Sequence, residues 1–352
     1  MNDLKKSVLI GLSGGVDSAA AAAILKHDGY ECFAVTFVMT DEARQNINDA
    51  KAVADSLCIS LYQSDLADEF KGSVMSYFID SYQRGETPNP CILCNRIFKF
   101  KNLITKADEL GIKHIATGHY ANVGYNEKTG RYELMRSLNE KKDQSYFLYR
   151  LTQDQLSRII FPIGNMAKED VRSCARDFGL SVSSRKDSQD ICFIKGMEYT
   201  DFIEKNINSG HKFRGAAFLD VKGKEIGKGE NHIYYTPGQR RGLTKGFNER
   251  LYVIRKDPKN NTVTLGSETD LYVKEITVSD PNFISIPMLH DEMRVKVKIR
   301  NSKDSYDAVI RPDNENIRVG FFEPARAPVR GQSAVFYEGD TVIGGGIIHD
   351  GI

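Results

Sequence analysis

The apolar positions change rhythm part-way along the chain. In the first part, short apolar runs that read as buried strands alternate with longer stretches of helical spacing. KSVLIGL is the first strand, an Ala-rich helix follows from about Val16 to His27 and stops near Gly29, and ECFAVTF is the second strand. Helical spacing from about Asp41 to Leu57 leads to the strand ISLYQ, and another helix spans about Asp68 to Arg84. The Pro-rich loop GETPNPCILCN comes next. A helix over roughly Arg96 to Leu110 then ends at Gly111, and HIATG is a further strand. Such alternation predicts an α/β fold with a doubly wound parallel sheet, whose ligands bind beyond the carboxyl ends of the strands. Gly11–Ser18, Gly118–His119 and the Pro-rich loop should meet there.

From about Phe213 the runs become short and alternating: GAAFLD, LYVIRKDP, NNTVTLG, MRVKVKIR, DAVIR, IRVGFF, SAVFYEGD. This texture predicts β structure. The expected organisation is an ATP-binding domain over 1–208, a small β-rich central domain over 209–269 and a C-terminal β-barrel over 270–352.

Composition adds boundaries rather than direction. Of 352 residues, 41% are apolar and 27% charged, which is ordinary for a soluble globular chain. The apolar runs near the N-terminus are too short for a signal-peptide core or a membrane span, so a cytoplasmic protein without membrane contact is expected. The net charge is +1, so no global field draws in nucleic acid, and any RNA affinity must come from local patches. MRVKVKIR is one: on a strand, Arg294, Lys296, Lys298 and Arg300 would share one face while Val295, Val297 and Ile299 point to the core. Arg240 and Arg241 in GQRRGL read similarly.

Two sets of residues carry candidate chemistry. Ser13-Gly14-Gly15-Val16-Asp17-Ser18 directly follows an apolar strand and opens a helix, which aims backbone N–H groups and the positive helix end at an anion. Asp17 either holds Mg²⁺ or pins the loop. The Lys of a Walker loop is absent and GxGxxG does not fit. The string resembles the PP-loop ATPases, which adenylate substrates and release pyrophosphate from ATP.

The second set is the cysteines. Cys32, Cys58 and Cys174 read as core residues, the last sharing a helix face with Val171 and Phe178. Cys91 and Cys94 bracket Ile92-Leu93 in the Pro-rich loop, and Cys192 lies in KDSQDICFIKG. No second CxxC completes a structural zinc site. Two readings stay open: persulfide transfer resolved by a second thiol, and an iron–sulfur cluster with three Cys ligands and an open iron.

GLSGGVDS, TPNPCILCN, ATGHYA, KDQSYFL, KDSQDICFIKG, GQRRGL and GQSAVFYEGD…GGGII follow one another as in the bacterial tRNA 2-thiouridylase family, which the chain resembles over nearly its whole length. The resemblance implies adenylation of O2 of the wobble uridine in tRNAs for Lys, Glu and Gln, followed by replacement of that oxygen with sulfur. It implies that Cys192 carries a persulfide, that Cys94 is its disulfide partner, and that a sulfur-relay protein or cysteine desulfurase is the donor. It assigns ATP, with Mg²⁺, to Gly11, Leu12, Ser13, Gly14, Gly15, Val16, Asp17, Ser18, Phe37 and Gly118. For tRNA it implies Asn89, Pro90, Cys91 and His119 around the flipped base, Lys142, Asp143 and Gln144 near the anticodon, and Arg300, Asn301 and Gln332 on the barrel.

One departure matters most. Many family members carry Asp, a candidate acid/base, where this chain has Cys91. That substitution puts the acid/base role in doubt and keeps open a [4Fe–4S] cluster on Cys91, Cys94 and Cys192. The segment FVMTDEARQNINDA is also shorter than usual, GKGENHIYYTPGQR lacks the usual spacing before GQR, and Arg330 stands where Pro is common. Two competing readings remain. A PP-loop amide ligase for a small metabolite leaves Cys94 and Cys192 unexplained. A non-catalytic iron–sulfur or RNA-binding module predicts no AMP when tRNA is added.

Overall fold

A computed structural model describes residues 6–185, 190–207, 214–243 and 250–351. In chain order, the first region holds β1 (Ser7–Gly11), α1 (Val16–His27), β2 (Glu31–Val38), α2 (Asp41–Gln45), α3 (Ile47–Ser56), β3 (Ser60–Asp65), α4 (Ala67–Phe70), α5 (Ser76–Gln83), α6 (Pro90–Leu93), α7 (Phe100–Glu109) and β4 (His114–Ala116). The hairpin β5 (Ala121–Asn126)–β6 (Arg131–Arg136) follows, then α8 (Gln153–Leu156), β7 (Ile159–Ile160), α9 (Lys168–Asp177) and α10 (Tyr199–Asn206). The sheet order is β3-β2-β1-β4-β7, with every pair parallel. Val8, Leu9 and Ile10 of the central strand are fully buried, as a strand covered on both faces requires. Ala19 to Ala23 are buried too, and their small side chains let α1 lie close against the sheet.

Three expectations about this region need correction. The helical pattern from Asp41 divides at Asn46, where α2 ends and α3 begins. Cys91 and Cys94 are not in a loop. Pro90 takes the first position of α6, where its missing N–H costs nothing, and a π-helical turn over Cys94–Lys99 carries the helix on into α7. Cys58 is not a core residue: it is exposed, with φ +46°, in the turn that closes α3. Cys32 is buried and Cys174 half-buried, as the pattern suggests.

The central sheet contains β8 (Ala217–Leu219), β9 (Glu225–Lys228), β10 (Tyr252–Asp257) and β11 (Thr262–Gly266), in the order β10-β11-β8-β9. Beyond it, β12 (Tyr272–Phe283), β13 (Met293–Lys298), β14 (Tyr306–Asp313), β15 (Asn316–Arg326), β16 (Ser333–Glu338) and β17 (Thr341–Ile348) form an antiparallel barrel closed by pairing of β12 with β17. The β5–β6 hairpin joins this barrel through Met135 opposite Thr341. Further bonds sew the seam: Arg131 Nε donates to the Ile284 carbonyl at 2.8 Å, Asn282 Nδ2 to the Tyr149 carbonyl at 2.7 Å, and Tyr146 Oη to the Ser333 carbonyl at 2.9 Å.

That seam alters the expected basic face of β13. Lys298 does not share the solvent face. It is buried beneath the segment ending in Ser145, with its Nζ 3.8 Å from Asp143 and 5.7 Å from the centre of the Tyr337 ring. Lys296 is exposed but pairs with Asp307 at 2.9 Å, and Arg294 lies over the Phe322 ring. The strand therefore presents fewer unscreened cations than its alternation promises.

Candidate active site

The turn between β1 and α1 is fixed by its own polar atoms. Ser13 N–H donates to Ser18 Oγ at 3.2 Å, and Ser18 Oγ donates to the Gly15 carbonyl at 3.0 Å. Gly14 has φ +73°, and a Cβ there would sit 2.8 Å from the Asn46 carbonyl oxygen and 3.0 Å from Asp49 Cβ. Only glycine fits this crest. No side chain caps the helix that opens at Val16, and its dipole favours an anion at that end. Leu12 N–H bonds the Val35 carbonyl, and Phe37 is half-buried two residues further along β2. Gly118 serves close packing: a Cβ would lie 2.5 Å from the Asp17 carbonyl carbon and 2.6 Å from Ser18 N.

Of the two roles open to Asp17, the geometry favours the pin. Its Oδ1 accepts from Tyr120 Oη at 2.8 Å and from Lys168 Nζ at 2.7 Å. Lys168 is 7% exposed, deep for a lysine unless it is paired. The motif reading missed both residues. A signal for Lys168 exists, because a lysine in the first turn of a helix opposes the dipole and calls for a reason. Tyr120 also ties the loop to the KDQ segment, since its N–H donates to Gln144 Oε1 at 2.9 Å.

The thiols come from two distant segments. Cys94 is buried in the π-helical turn, and Cys91 lies one turn earlier. Cys192 is followed by Phe193 and Ile194, which sink into a cluster with Phe70, Phe78, Phe98 and Cys94. Phe193 meets the Phe78 ring edge-on at 5.4 Å and the Phe70 ring at 5.8 Å. This anchor brings Cys192 near the CxxC pair, and the three sulfurs feel one another. The Cys192 thiol is pushed up to about 12, first by burial and then by the Cys94 and Cys91 charges, against the opposing pull of Lys99. Cys192 is exposed as a residue, so solvent reaches it while protein crowds its sulfur. Burial also raises Cys94 and Cys91, again opposed by Lys99. Lys99, at the end of the same π-helical turn, is a site residue that motif reading did not find.

Among the described residues, no group of three or more His, Cys, Asp or Glu side chains is gathered as a metal site. Cys91, Cys94 and Cys192 are therefore not gathered as a three-ligand group.

The expected base-binding residues divide by environment. His119 is held neutral, its pKa pushed well below the ordinary imidazole value by burial and then by Lys99. Its Nδ1 lies 2.8 Å from Thr117 Oγ1, and its ring stacks on Phe100 at 5.7 Å. Asn89 caps α6 without a side-chain bond to the helix. The Asp143 carboxylate is turned inward, accepting from Ser137 N at 3.2 Å, Ser145 N at 3.1 Å and Ser145 Oγ at 3.0 Å. Lys142 and Gln144 flank it, half-buried. On the barrel side, Arg300 donates to the Arg326 carbonyl at 3.2 Å and Asn301 is exposed. Gln332 reaches back to the first region, where its Nε2 donates to the Thr87 carbonyl at 3.0 Å.

Comparison with known proteins covers the whole architecture. Residues 6–196 match the tRNA methyl transferase HUP domain, 200–267 the tRNA methyl transferase PRC-barrel domain, and 273–348 the aminomethyltransferase beta-barrel domain. The tRNA-specific 2-thiouridylase MnmA of Acetivibrio thermocellus is 47% identical, with 98% of this chain and 99% of that one aligned. The protein of that name from Clostridioides difficile is 42% identical, with 98% of each chain aligned. Among solved structures, a 4-thiouridine synthetase–RNA complex with bound ATP aligns at a TM-score of 0.37 and 19% identity, over 57% of this chain and 50% of that one. A likeness that low carries no argument. The three domain matches in order, and 47% identity along 98% of the chain, show that it belongs to the tRNA-specific 2-thiouridylase family.

Proposed function

We propose that this protein is an ATP-dependent tRNA-uridine 2-sulfurtransferase, forming 2-thiouridine with AMP and pyrophosphate as by-products. The observation that carries the reading is the burial of Phe193 and Ile194 in the cluster that holds Cys94, with the Cys192 sulfur feeling the Cys94 and Cys91 charges. The uracil O2 is a poor leaving group, and attack on the α-phosphate of ATP converts it into one that departs as AMP. The loop from Gly11 to Ser18 cradles the phosphates, with Mg²⁺ arriving on the nucleotide, since two donors already occupy Asp17 Oδ1. Phe37 lies beside the adenine.

Sulfur then arrives as a persulfide on Cys192. Its terminal sulfur attacks C2, AMP leaves, and Cys192 stays linked to the base through an S–S bond. The Cys94 thiolate attacks Cys192 Sγ and breaks that bond. Its electron pair remains on the uridine sulfur, a Cys94–Cys192 disulfide forms, and a two-electron reductant resets the enzyme. A sulfur-relay protein or cysteine desulfurase loads Cys192, which solvent reaches. Neutral His119, Asn89, Pro90 and Cys91 border the extruded base, which neutral hydrogen-bonding groups can read by its edge. Lys142 and Gln144 face the anticodon of tRNAs for Lys, Glu and Gln, while Asp143 holds their loop in shape. Arg300 and Asn301 contact the tRNA from the barrel. Among the described residues no helix is long and apolar enough to cross a membrane, and the work is assigned to the cytoplasm, where tRNA is found.

The deciding experiment is mass analysis of tRNA nucleosides after incubation with ATP, Mg²⁺ and a persulfide donor. New 2-thiouridine is the expected result. AMP without thiolation would point to an amide ligase, and no AMP at all to a binding module.

A further inference from the structure

Described residues on either side of Cys192 are anchored, Phe193 and Ile194 in the aromatic cluster and Arg185 upstream on the nucleotide loop. Residues Ser181–Ser184 form a 3₁₀ turn whose Val182 packs in the same core as the alanines of α1. The next residue, Arg185, sends its guanidinium across that core's edge. Nη1 donates to the Gly14 carbonyl at 2.9 Å and also to the Asp49 carboxylate, while Nη2 donates to Asn46 Oδ1. These acceptors lie where the Gly14 crest already presses on the start of α3. Arg185 therefore closes a three-way clamp between the crest of the PP-loop, α3 and the 3₁₀ turn that it ends, upstream of Cys192 in sequence. Downstream, Phe193 and Ile194 hold the other side of Cys192 in the aromatic cluster with Cys94. Six residues, 186–191, separate Arg185 from Cys192.

The chemistry supplies a reason to join these places. An adenylated uracil is open to water, so sulfur should be presented while the nucleotide loop is engaged, or AMP is lost without product. The Gly14 peptide is a direct messenger. When N–H groups of the loop donate to phosphate, the loop's carbonyls polarise and their own hydrogen bonds strengthen. A guanidinium with several donors in a fixed fork can register that change at three acceptors, which a lysine cannot.

We propose that Arg185 is a positioning residue that couples occupancy of the PP-loop to presentation of the Cys192 sulfur, keeping adenylation and thiolation in step. This rests on the sulfurtransferase reading. The test loads full-length wild-type, Arg185→Lys and Arg185→Gln proteins with persulfide and measures AMP and 2-thiouridine together in single turnovers with tRNA and ATP. In both variants the yield of 2-thiouridine per AMP should fall by about tenfold or more, the scale of a small misplacement of a reacting group. Asp49→Asn, which loosens the same clamp from the α3 side, should move the ratio the same way. An unchanged ratio in folded variants, with AMP and 2-thiouridine falling together, would make Arg185 a part of the nucleotide loop alone and overturn the proposal. Wild-type protein that forms no 2-thiouridine would overturn the parent reading and this one with it.

Discussion

The nucleotide loop and the thiol site reach their geometry by opposite routes. The loop is local: one strand, one turn and one helix supply its donors, and the bonds among Ser13, Gly15 and Ser18 close within six residues. The thiol site is assembled: Cys94 and Cys192 lie far apart in sequence, and the packing of Phe193 into the core that holds Cys94 brings the two near each other. A local site depends on backbone conformation. An assembled one depends on packing, so the two should fail in different ways.

The widest separation comes from the thiols themselves. Cys192→Ser should abolish 2-thiouridine by at least about 10³-fold, as loss of a nucleophile does. ATP binding should stay intact in equilibrium dialysis. Phe193→Ala tests the packing that assembles the site. It should cost about 3–5 kcal/mol of stability in denaturant melts and prevent Cys94–Cys192 disulfide formation on mild oxidation. Efficient disulfide formation in that variant would break the contrast.

Gly14→Ala strikes the local site instead. A side chain at φ +73°, with its Cβ 2.8 Å from a carbonyl oxygen, should cost about 1–3 kcal/mol, seen as weaker ATP binding. The mildest probe is alkylation of Cys192. A thiol raised to about 12 has a thiolate fraction that grows with pH through the whole neutral and mildly alkaline range. The rate of labelling at Cys192 should climb without a plateau to about pH 10, the range set by that raised pKa. Lys99→Gln removes a charge that favours the thiolate, so labelling at pH 8 should drop about threefold, the size of one partly screened charge. A plateau near pH 8 would contradict the burial argument.

The contrast also explains what was legible in the sequence. The strand–turn–helix of the loop could be read whole, because its glycines and hydroxyls answer to local backbone needs. Lys168 and Tyr120, which hold Asp17, could not, since a pair across 151 or 103 residues leaves no local spacing to read. Prolines at 88 and 90 suggested a loop around the CxxC pair, yet proline at a helix start is as favourable as in a turn. Cys58 sits in an apolar stretch by sequence but occupies a left-handed turn position, which packing does not dictate. The alternation of MRVKVKIR placed its strand correctly and its apolar side inward. It could not show that Asp143 would cover Lys298, because that cover comes from the far side of the seam.

The seam between residues 131–153 and the barrel carries a consequence for how the molecule is made. Met135 waits for Thr341, Arg131 for Ile284, and Tyr146 for Ser333. A ribosome that has released the hairpin has yet to synthesise its partners. The first region emerges with an unpaired β6 edge and polar groups that only the last strands can satisfy. Contacts of such long sequence separation are slow to form, and an edge left open in the interval invites pairing with another chain. The stretch from β5 to α8 should thus be the last part of the N-terminal region to become protected after synthesis. Translation that halts before β17 should leave a nucleotide domain that is nearly complete, sticky along one side and unfinished.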